Sequence, residues 1–179
     1  MQGEGVRIAE YDPRWPELFT ELRDRIARAL GEIVIAIEHV GSTAVPNLPA
    51  KPIIDLDVVV RPEDVPAATA ILEQHGYRRE GTLGIEGREA FRWTARGPEH
   101  HLYVCPEGSP AFARHVLVRD YLRAHPAVAR EYADLKRRLA EEYANDRTKY
   151  QDAKADFVEQ MHQKAKEIAA RAAGEDAPR

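Results

Sequence analysis

The sequence predicts an α/β (α+β) protein in which helices flank a small mixed β-sheet and the C-terminal half is helical. Residues 53–60 are β-branched apart from Asp55, Leu56 and Asp57, which indicates a strand. Residues 62–76 combine a helical apolar stripe with a closing glycine, and they follow this strand as part of a strand–helix–strand unit. From residue 109 onward, apolar residues recur at helical spacing.

The N-terminal part is predicted to supply one long helix and two strands. Residues 5–10 favour an edge strand, and the pair Asp12-Pro13 opens a helix over residues 14–30. Gly31 is a natural stop for that helix. A strand over residues 34–40 then leads to Gly41 and Ser42.

The remaining elements are predicted from turn residues and periodicity. Residues 77–79 begin a strand, the glycine-rich residues 81–87 form a loop or wide hairpin, and residues 90–95 and 101–104 pair as an antiparallel hairpin. Three helices follow: one opened by Ser109-Pro110, one running from the break at His125-Pro126 to about residue 144, and one over about residues 148–173.

Length and charge limit the class of protein. A chain of 179 residues fits a single domain over residues 1–173, with a sheet-bearing part over 1–108, a helical part over 109–173 and a frayed tail at 174–179. The formal charge of -4, from 26 basic and 30 acidic residues, argues against a binder of bulk nucleic acid or of anionic membranes.

Cysteine content and hydropathy predict a cytoplasmic protein. The single cysteine, Cys105, excludes an intramolecular disulfide and a zinc cluster, and its place in a strand predicts packing. No signal-peptide pattern and no apolar run of membrane-spanning length is present in the sequence, so no membrane association is expected.

Two carboxylates are predicted to share one face of the strand over residues 53–60. Side chains alternate along a strand, so Asp55 and Asp57 project to the same side in apolar company. Two negative charges roughly 6 Å apart repel by about 3 kcal/mol at an effective dielectric of ~20. A magnesium ion held by the two acids and by substrate phosphates would remove this repulsion. Alternatively, the acids lie at an exposed strand end or pair with Lys51 and nearby arginines.

The turn at Gly41-Ser42 favours an anion site beside these acids. A glycine frees backbone N–H groups to approach an anion closely, and the serine adds a hydroxyl donor. Twelve residues separate this pair from Asp55 on the next strand. The arrangement of a Gly-Ser turn followed by Asp-Leu-Asp on a strand resembles the signature of the nucleotidyltransferase fold.

Five ordered motifs make the resemblance more specific. The stretches YDPRWPELF, EHVGSTAVPNLPAKPIIDLDV, HHLYV, RDYLRAHP and KYQDAKADFV are similar to those of the GrpB-like (UPF0157-type) family of the nucleotidyltransferase superfamily, and the match covers about residues 6–158. This resemblance implies a magnesium- or manganese-dependent enzyme that moves a nucleotidyl group from a nucleoside triphosphate to an unidentified small acceptor. Gly41, Ser42 and Thr43 would contact phosphate, and Asp55 and Asp57 would hold the metal.

One departure from the superfamily pattern keeps other functions open. In many nucleotidyltransferases a third metal-binding acid lies on the strand where this chain has HHLYV, and no acid stands between His100 and Val104. His101, which shares a strand face with Tyr103, is predicted to replace it as a ligand or proton shuttle, unless the histidines lie on the surface. The alternatives are a non-catalytic protein that binds a nucleotide, a coenzyme A-like molecule or another anionic metabolite, and an accessory docking protein.

Several further residues are weighed as phosphate contacts. Lys51, Arg92, Arg119 and Lys154 are predicted to bind phosphate. By contrast, Lys136 is assigned to a solvated helix face with i to i+4 pairs such as Asp134 with Arg138, and His39 is interpreted as a hydrogen-bonded, partly buried imidazole. The sequence leaves a homodimer open.

Overall fold

A computed structural model describes residues 6–175 of the chain, with side chains up to residue 172. Its strands are β1 (Val34–Val40), β2 (Ile54–Val60), β3 (Tyr77–Gly81), β4 (Glu89–Trp93) and β5 (His100–Pro106). Its α-helices are α1 (Trp15–Leu30), α2 (Val65–Gln74), α3 (Pro110–Ala124), α4 (Pro126–Glu142) and α5 (Arg147–Glu175). Short 3₁₀ turns cover Gly31–Ile33, Ser42–Ala44 and Pro62–Asp64.

The five strands form one mixed sheet in the order β1-β2-β5-β4-β3. β2 runs parallel to β5, and the other neighbouring pairs are antiparallel. The register places Asp55 beside His101 and Asp57 beside Tyr103. Residues that are directly opposite in register project to the same face, so these four side chains lie on one side of the sheet.

Two apolar clusters determine where a cleft can form. On one face of the sheet, Leu56, Val58 and Leu102 pack with Ile26 of α1 and Leu72 of α2. A second cluster joins the three C-terminal helices to the segment after the Ser42–Ala44 turn, through Val45, Leu48, Tyr121, Leu122, Tyr132 and Met161. The helical half is therefore attached at the end of the sheet, beside the face that carries Asp55 and Asp57.

The predicted fold class is confirmed, and local chemistry explains the main boundaries. α1 ends at Gly31, which adopts φ +63°, a conformation that glycine reaches without steric cost. The Ser109 side chain accepts a hydrogen bond from the backbone N–H of Phe112 at 3.3 Å and caps α3. The break before Pro126 separates α3 from α4, as predicted.

Three details differ from the sequence-based prediction. The edge strand over residues 5–10 is wrong within the described residues, because Ala9 makes only an isolated antiparallel bridge with Ala50, and residue 5 lies outside them. Residues 62–64 form a 3₁₀ turn before α2. α5 continues to residue 175, and the rest of the predicted frayed tail, residues 176–179, lies outside the described part.

Within residues 6–175, no helix combines the length and the apolar character needed to cross a membrane. Cys105 is fully buried, which confirms its predicted packing role.

Two truncations in the same sheet should lower the free energy of unfolding by unequal amounts. Leu56 has 0% exposure, so Leu56→Ala is expected to lower the free energy of unfolding by about 2–5 kcal/mol. Ile35 on β1 is 48% exposed, so Ile35→Ala should cost less than about 1 kcal/mol. Urea denaturation of both variants measures the difference, and equal costs would contradict the core described above.

Candidate functional site

The candidate site begins with the two acids of β2. Asp55 and Asp57 share one face, as predicted, yet their surroundings differ. The side chain of Asp55 is 27% exposed, whereas that of Asp57 has no exposed surface. Neither acid forms a salt bridge with a lysine or arginine in the described part of the chain.

A histidine contacts each carboxylate instead. Nδ1 of His101 lies 2.9 Å from Oδ1 of Asp55, and Nδ1 of His115 lies 2.8 Å from Oδ2 of Asp57. His101 is thus beside the acids, as the sequence analysis required for a role in the site. His115 was not predicted, because it lies on α3, 58 residues after Asp57, and nothing in its local sequence distinguishes it from other helical residues.

Burial controls the charge of Asp57. Removal from water raises the pKa of its carboxyl group, while the hydrogen bond from His115 acts in the opposite direction. One oxygen, Oδ1, is buried without a hydrogen-bond partner among the described residues. Such an orphaned acceptor is costly and marks a place where a ligand or ion would add stability. The guanidinium carbon of Arg88, 4.4 Å from the Tyr103 ring centroid, contributes a nearby positive charge.

The turn at residues 41–44 fits tightly against β2. Gly41 adopts φ +72°, and a Cβ atom there would overlap Oδ2 of Asp55, so two independent constraints require glycine. Ser42 follows at the rim of the cleft. The Thr43 hydroxyl is already engaged, since it donates to the Ile53 carbonyl at 3.3 Å and lies 3.0 Å from Nε2 of His39.

His39 itself is internal. It stacks on Phe19 with ring centroids 4.7 Å apart, and burial lowers its pKa to about 4. The prediction of a hydrogen-bonded, buried imidazole is therefore confirmed.

A first cavity of about 370 Å³ lies between the sheet and α5. The cavity is lined by four cationic side chains, Lys51, Lys136, Arg147 and Lys154, together with Ser42 and Asp55. Among the described residues, none of these four cations forms a salt bridge. Lys51 and Lys154 both contact the Tyr150 ring, with Nζ 5.6 and 5.3 Å from its centroid.

The lysines of this cavity have lowered pKa values. Burial lowers the pKa of Lys136 to about 7, and the nearby charge of Lys154 adds to the shift. Burial also lowers the pKa of Lys154 to about 8 and that of Lys51, with Arg147 contributing to both shifts. Neighbouring cations add to these shifts, while the negative charge of Asp55 offsets part of the shift for Lys51 and Lys154.

Lys136 corrects the sequence analysis. It was assigned to a solvated helix face, but its side chain is 2% exposed, donates to the Pro49 carbonyl and lies over the Tyr132 ring. The predicted partner of Asp134 was also wrong: Asp134 bonds Arg137, three residues away, rather than Arg138. α4 turns Lys136 inward, and helical periodicity alone did not distinguish this face from the exposed one.

The other predicted basic residues lie at the margins of the cleft. Arg92 lines the first cavity but is 59% exposed and pairs with Glu80 at 3.0 Å. Arg119 is largely committed to the protein, because its guanidinium group donates to Glu38, to the His39 carbonyl and to Asp120. It ties α3 to the end of β1. Phosphate binding by either arginine remains a prediction.

A second cavity of about 400 Å³ adjoins the first. Both contain Ser42, Asp55, Gln151 and Lys154 in their walls, so the two form one continuous cleft. The rest of its wall combines apolar residues of α3 and α5 with Ile85, Tyr132, His115, Arg114 and Arg119.

The third metal-binding acid of the superfamily has no counterpart here. His101 and Tyr103 stand on β5 beside Asp55 and Asp57, and the described residues contain no group of three or more Asp, Glu, His or Cys arranged for a metal ion. Two carboxylates plus substrate phosphates can still satisfy magnesium, and the orphaned Oδ1 of Asp57 is an oxygen donor of the required kind.

Comparisons with known proteins agree with this architecture. Residues 5–164 match the family model described as GrpB protein. The chain is 40% identical to UPF0157 protein YqkA of Bacillus subtilis over 90% of its own length, and it spans 47% of that relative. A crystal structure of the conserved protein GrpB from Enterococcus faecalis superposes with a TM-score of 0.81 at 35% identity, covering 89% of this chain and 96% of that one.

A more distant structure identifies the fold class. The Cid1 poly(U) polymerase, crystallised with MgGTP, gives a TM-score of 0.53 at 13% identity over 75% of this chain and 44% of that protein. The fold is therefore nucleotidyltransferase-like, as the resemblance implied. At this identity the likeness concerns the fold alone.

The turn geometry predicts a specific cost for Gly41→Ala. Gly41 and Gly81 adopt similar φ angles, +72° and +73°, but a Cβ at Gly81 meets nothing within 4 Å. Both alanine variants should lose about 1–2 kcal/mol from the left-handed backbone. Gly41→Ala should lose more, because its Cβ collides with Asp55. Equal losses in chemical denaturation would contradict the close approach of the turn to Asp55.

Proposed function

This chain belongs to the GrpB family, and we propose that it is a magnesium- or manganese-dependent nucleotidyltransferase that acts on a nucleoside triphosphate and a small acceptor. The unbalanced cations of the first cavity carry this proposal. Three lysines and Arg147 line this cavity, and none of them forms a salt bridge with a carboxylate in the described residues. A triphosphate is a ligand with enough negative charge to balance them.

The cost of placing these cations together supports a polyanion rather than a neutral ligand. Burial of an unpaired ammonium group is unfavourable, and two adjacent ones repel each other. An anion between Lys51, Lys136 and Lys154 would reverse both effects and raise their pKa values again. The hydroxyl of Ser42 and the backbone of the Gly41 turn lie at the same cavity wall and offer further donors.

The residues of the acidic side fit a divalent cation. Asp55 and Asp57 would hold it, and Asp57 would do so through Oδ1, which has no other partner among the described residues. When bound, magnesium or manganese neutralises charge on phosphate oxygens and favours displacement at phosphorus. The protein's own contribution is to position the triphosphate by the lysines and to keep both carboxylates on one face.

A second function is favoured by a different observation. Each carboxylate is already hydrogen-bonded to a histidine, and β5 supplies His101 where a third acid would stand. These contacts would suit a protein that binds a nucleotide, a coenzyme A-like molecule or another anionic metabolite without turnover. The first cavity would serve both functions equally, so only a measurement of turnover discriminates between them.

The first test measures stabilisation and turnover together. Saturating nucleoside triphosphate with Mg²⁺ is expected to raise the Tm by about 5–10 °C, as ligand at 100 times its Kd adds about 2.7 kcal/mol. Asp55→Asn and Asp57→Asn should remove the magnesium-dependent part of this shift and stop pyrophosphate release. Asp156→Asn, an exposed acid on α5, is the matched control.

The outcomes separate the two functions. Magnesium-dependent stabilisation without pyrophosphate release, across a panel of nucleotides and small alcohols or amines, would favour the binding protein. Stabilisation by nucleotide that both substitutions leave unchanged would contradict a metal site at these acids.

The second test uses the lowered pKa of Lys136. The unfolded chain keeps this proton to higher pH than the folded protein, so between about pH 7 and 9 unfolding takes up protons and stability rises with pH. The contribution is at most about 1.4 kcal/mol per pH unit. Lys136→Met should have a shallower slope, keeping only the rise due to Lys51 and Lys154, while Lys166→Met, which alters an exposed lysine on α5, should retain the full slope. Urea denaturation at pH 7, 8 and 9 checks the expectation; parallel slopes for both variants would contradict it.

A further inference from the structure

The second cavity differs in chemistry from the first although they share a wall. Its apolar lining is formed by Ile85, Val118, Leu122, Ala155 and Val158. Its volume of about 400 Å³ lies in the range of small-molecule sites. The two cavities share Ser42, Asp55, Gln151 and Lys154 in their walls, so a molecule in each would lie beside Asp55.

The two arginines of the second cavity already form salt bridges. Arg114 pairs with Glu159 at 2.6 Å, and Arg119 pairs with Glu38 at 2.6 Å and with Asp120 at 2.7 Å. Lys154, at the shared wall, is the cation of this lining without a salt bridge in the described part of the chain. A phosphate backbone is bound by available cations, and these arginines do not offer them.

Gln151 and His115 add polar groups to this lining. Gln151 has no side-chain hydrogen bond within the described residues, so its carboxamide can both donate and accept. His115 uses Nδ1 for Asp57, which leaves its other ring nitrogen for a contact in the cavity. Both side chains suit a single hydroxyl group placed near the shared wall.

We propose that the second cavity is the acceptor site and takes a small, uncharged molecule that carries a hydroxyl group on an apolar body. This rests on the proposed function, which places the triphosphate in the first cavity. The acceptor oxygen would bond to the α-phosphorus, and the bond from that phosphorus to the oxygen bridging to the β-phosphate would break. Pyrophosphate leaves with the electron pair, and the hydroxyl proton is released to water.

The lining of the second cavity does not suit a polymerase that extends a nucleic acid. An oligonucleotide end would need unpaired cations along the second cavity, whereas the apolar walls there favour a compact hydrocarbon skeleton. The arginines of the second cavity are paired, whereas the lysines of the first cavity are not. We therefore assign a different ligand to each cavity.

Methyl NMR on the full chain tests both cavities at once. Methyl signals of Val118, Leu122 and Val158 report on the second cavity, and those of Ile53 and Leu83 report on the first. The probes are a panel of neutral alcohols from cyclohexanol to 2-phenylethanol, Mg-ATP, and tetrauridylate. Members of the alcohol panel are expected to shift the second set alone, and Mg-ATP the first set.

A matched pair of variants gives the control. Ala155 and Ala153 are both exposed on α5, but only Ala155 belongs to the cavity wall. Ala155→Phe is expected to weaken alcohol binding by roughly tenfold or more by filling the cavity, and Ala153→Phe to leave it unchanged. Saturable shifts with this pattern support the proposal.

Two results would overturn the acceptor assignment: no alcohol of the panel shifts the second set, or tetrauridylate shifts it at lower concentration than the alcohols. Failure of the proposed function has a separate signature, since Mg-ATP would then leave Ile53 and Leu83 unmoved whatever the alcohols do.

Discussion

Asp57 is a carboxylate without exposed surface, and the arrangement around it connects the sheet with the helical half. Its side of the sheet is determined by the alternation of side chains along β2, while His115 reaches it from α3. A buried carboxylate with one unpartnered oxygen is tolerated only when surrounding structure holds it in place. Here the apolar packing on the opposite face of β2 supplies that rigidity, because Leu56 and Val58 anchor the strand from the other side.

The first cavity likewise contains buried ionisable groups that lower the stability of the fold. Lys136 and Lys154 would cost less if they were exposed or replaced by apolar residues, and their lowered pKa values express that cost. Binding sites commonly carry such a cost, because a ligand offsets it. Tyr150 moderates the cost, since its ring lies against Lys51 and Lys154 and offers them a favourable contact.

Sequence reasoning recovered the sheet and the acidic face because both depend on local periodicity. Alternation and β-propensity predicted the strand over residues 34–40 correctly. They also placed the start of β5 within one residue of where the structure has it. Gly41, Asp55, Lys51, Lys154 and His101 were identified by the same reading together with the family motifs, and the structure places them in the walls of the two cavities, with Asp57 buried behind them on the same face of β2. His115, Lys136, Arg147 and Gln151 were missed. They lie on helices whose inward rotation depends on packing between α3, α4 and α5.

The sequence by itself determined which residues share a strand face and where glycine, proline and serine interrupt the chain. Those features depend on backbone geometry within a few residues of each other. Only the tertiary structure decided which ionisable groups are paired. Arg119 is tied to Glu38, 81 residues away in the chain, while Lys136 faces a cavity without a salt-bridge partner among the described residues. Charge balance depends on distances between separate elements, and those distances exist only after the helices have packed against the sheet.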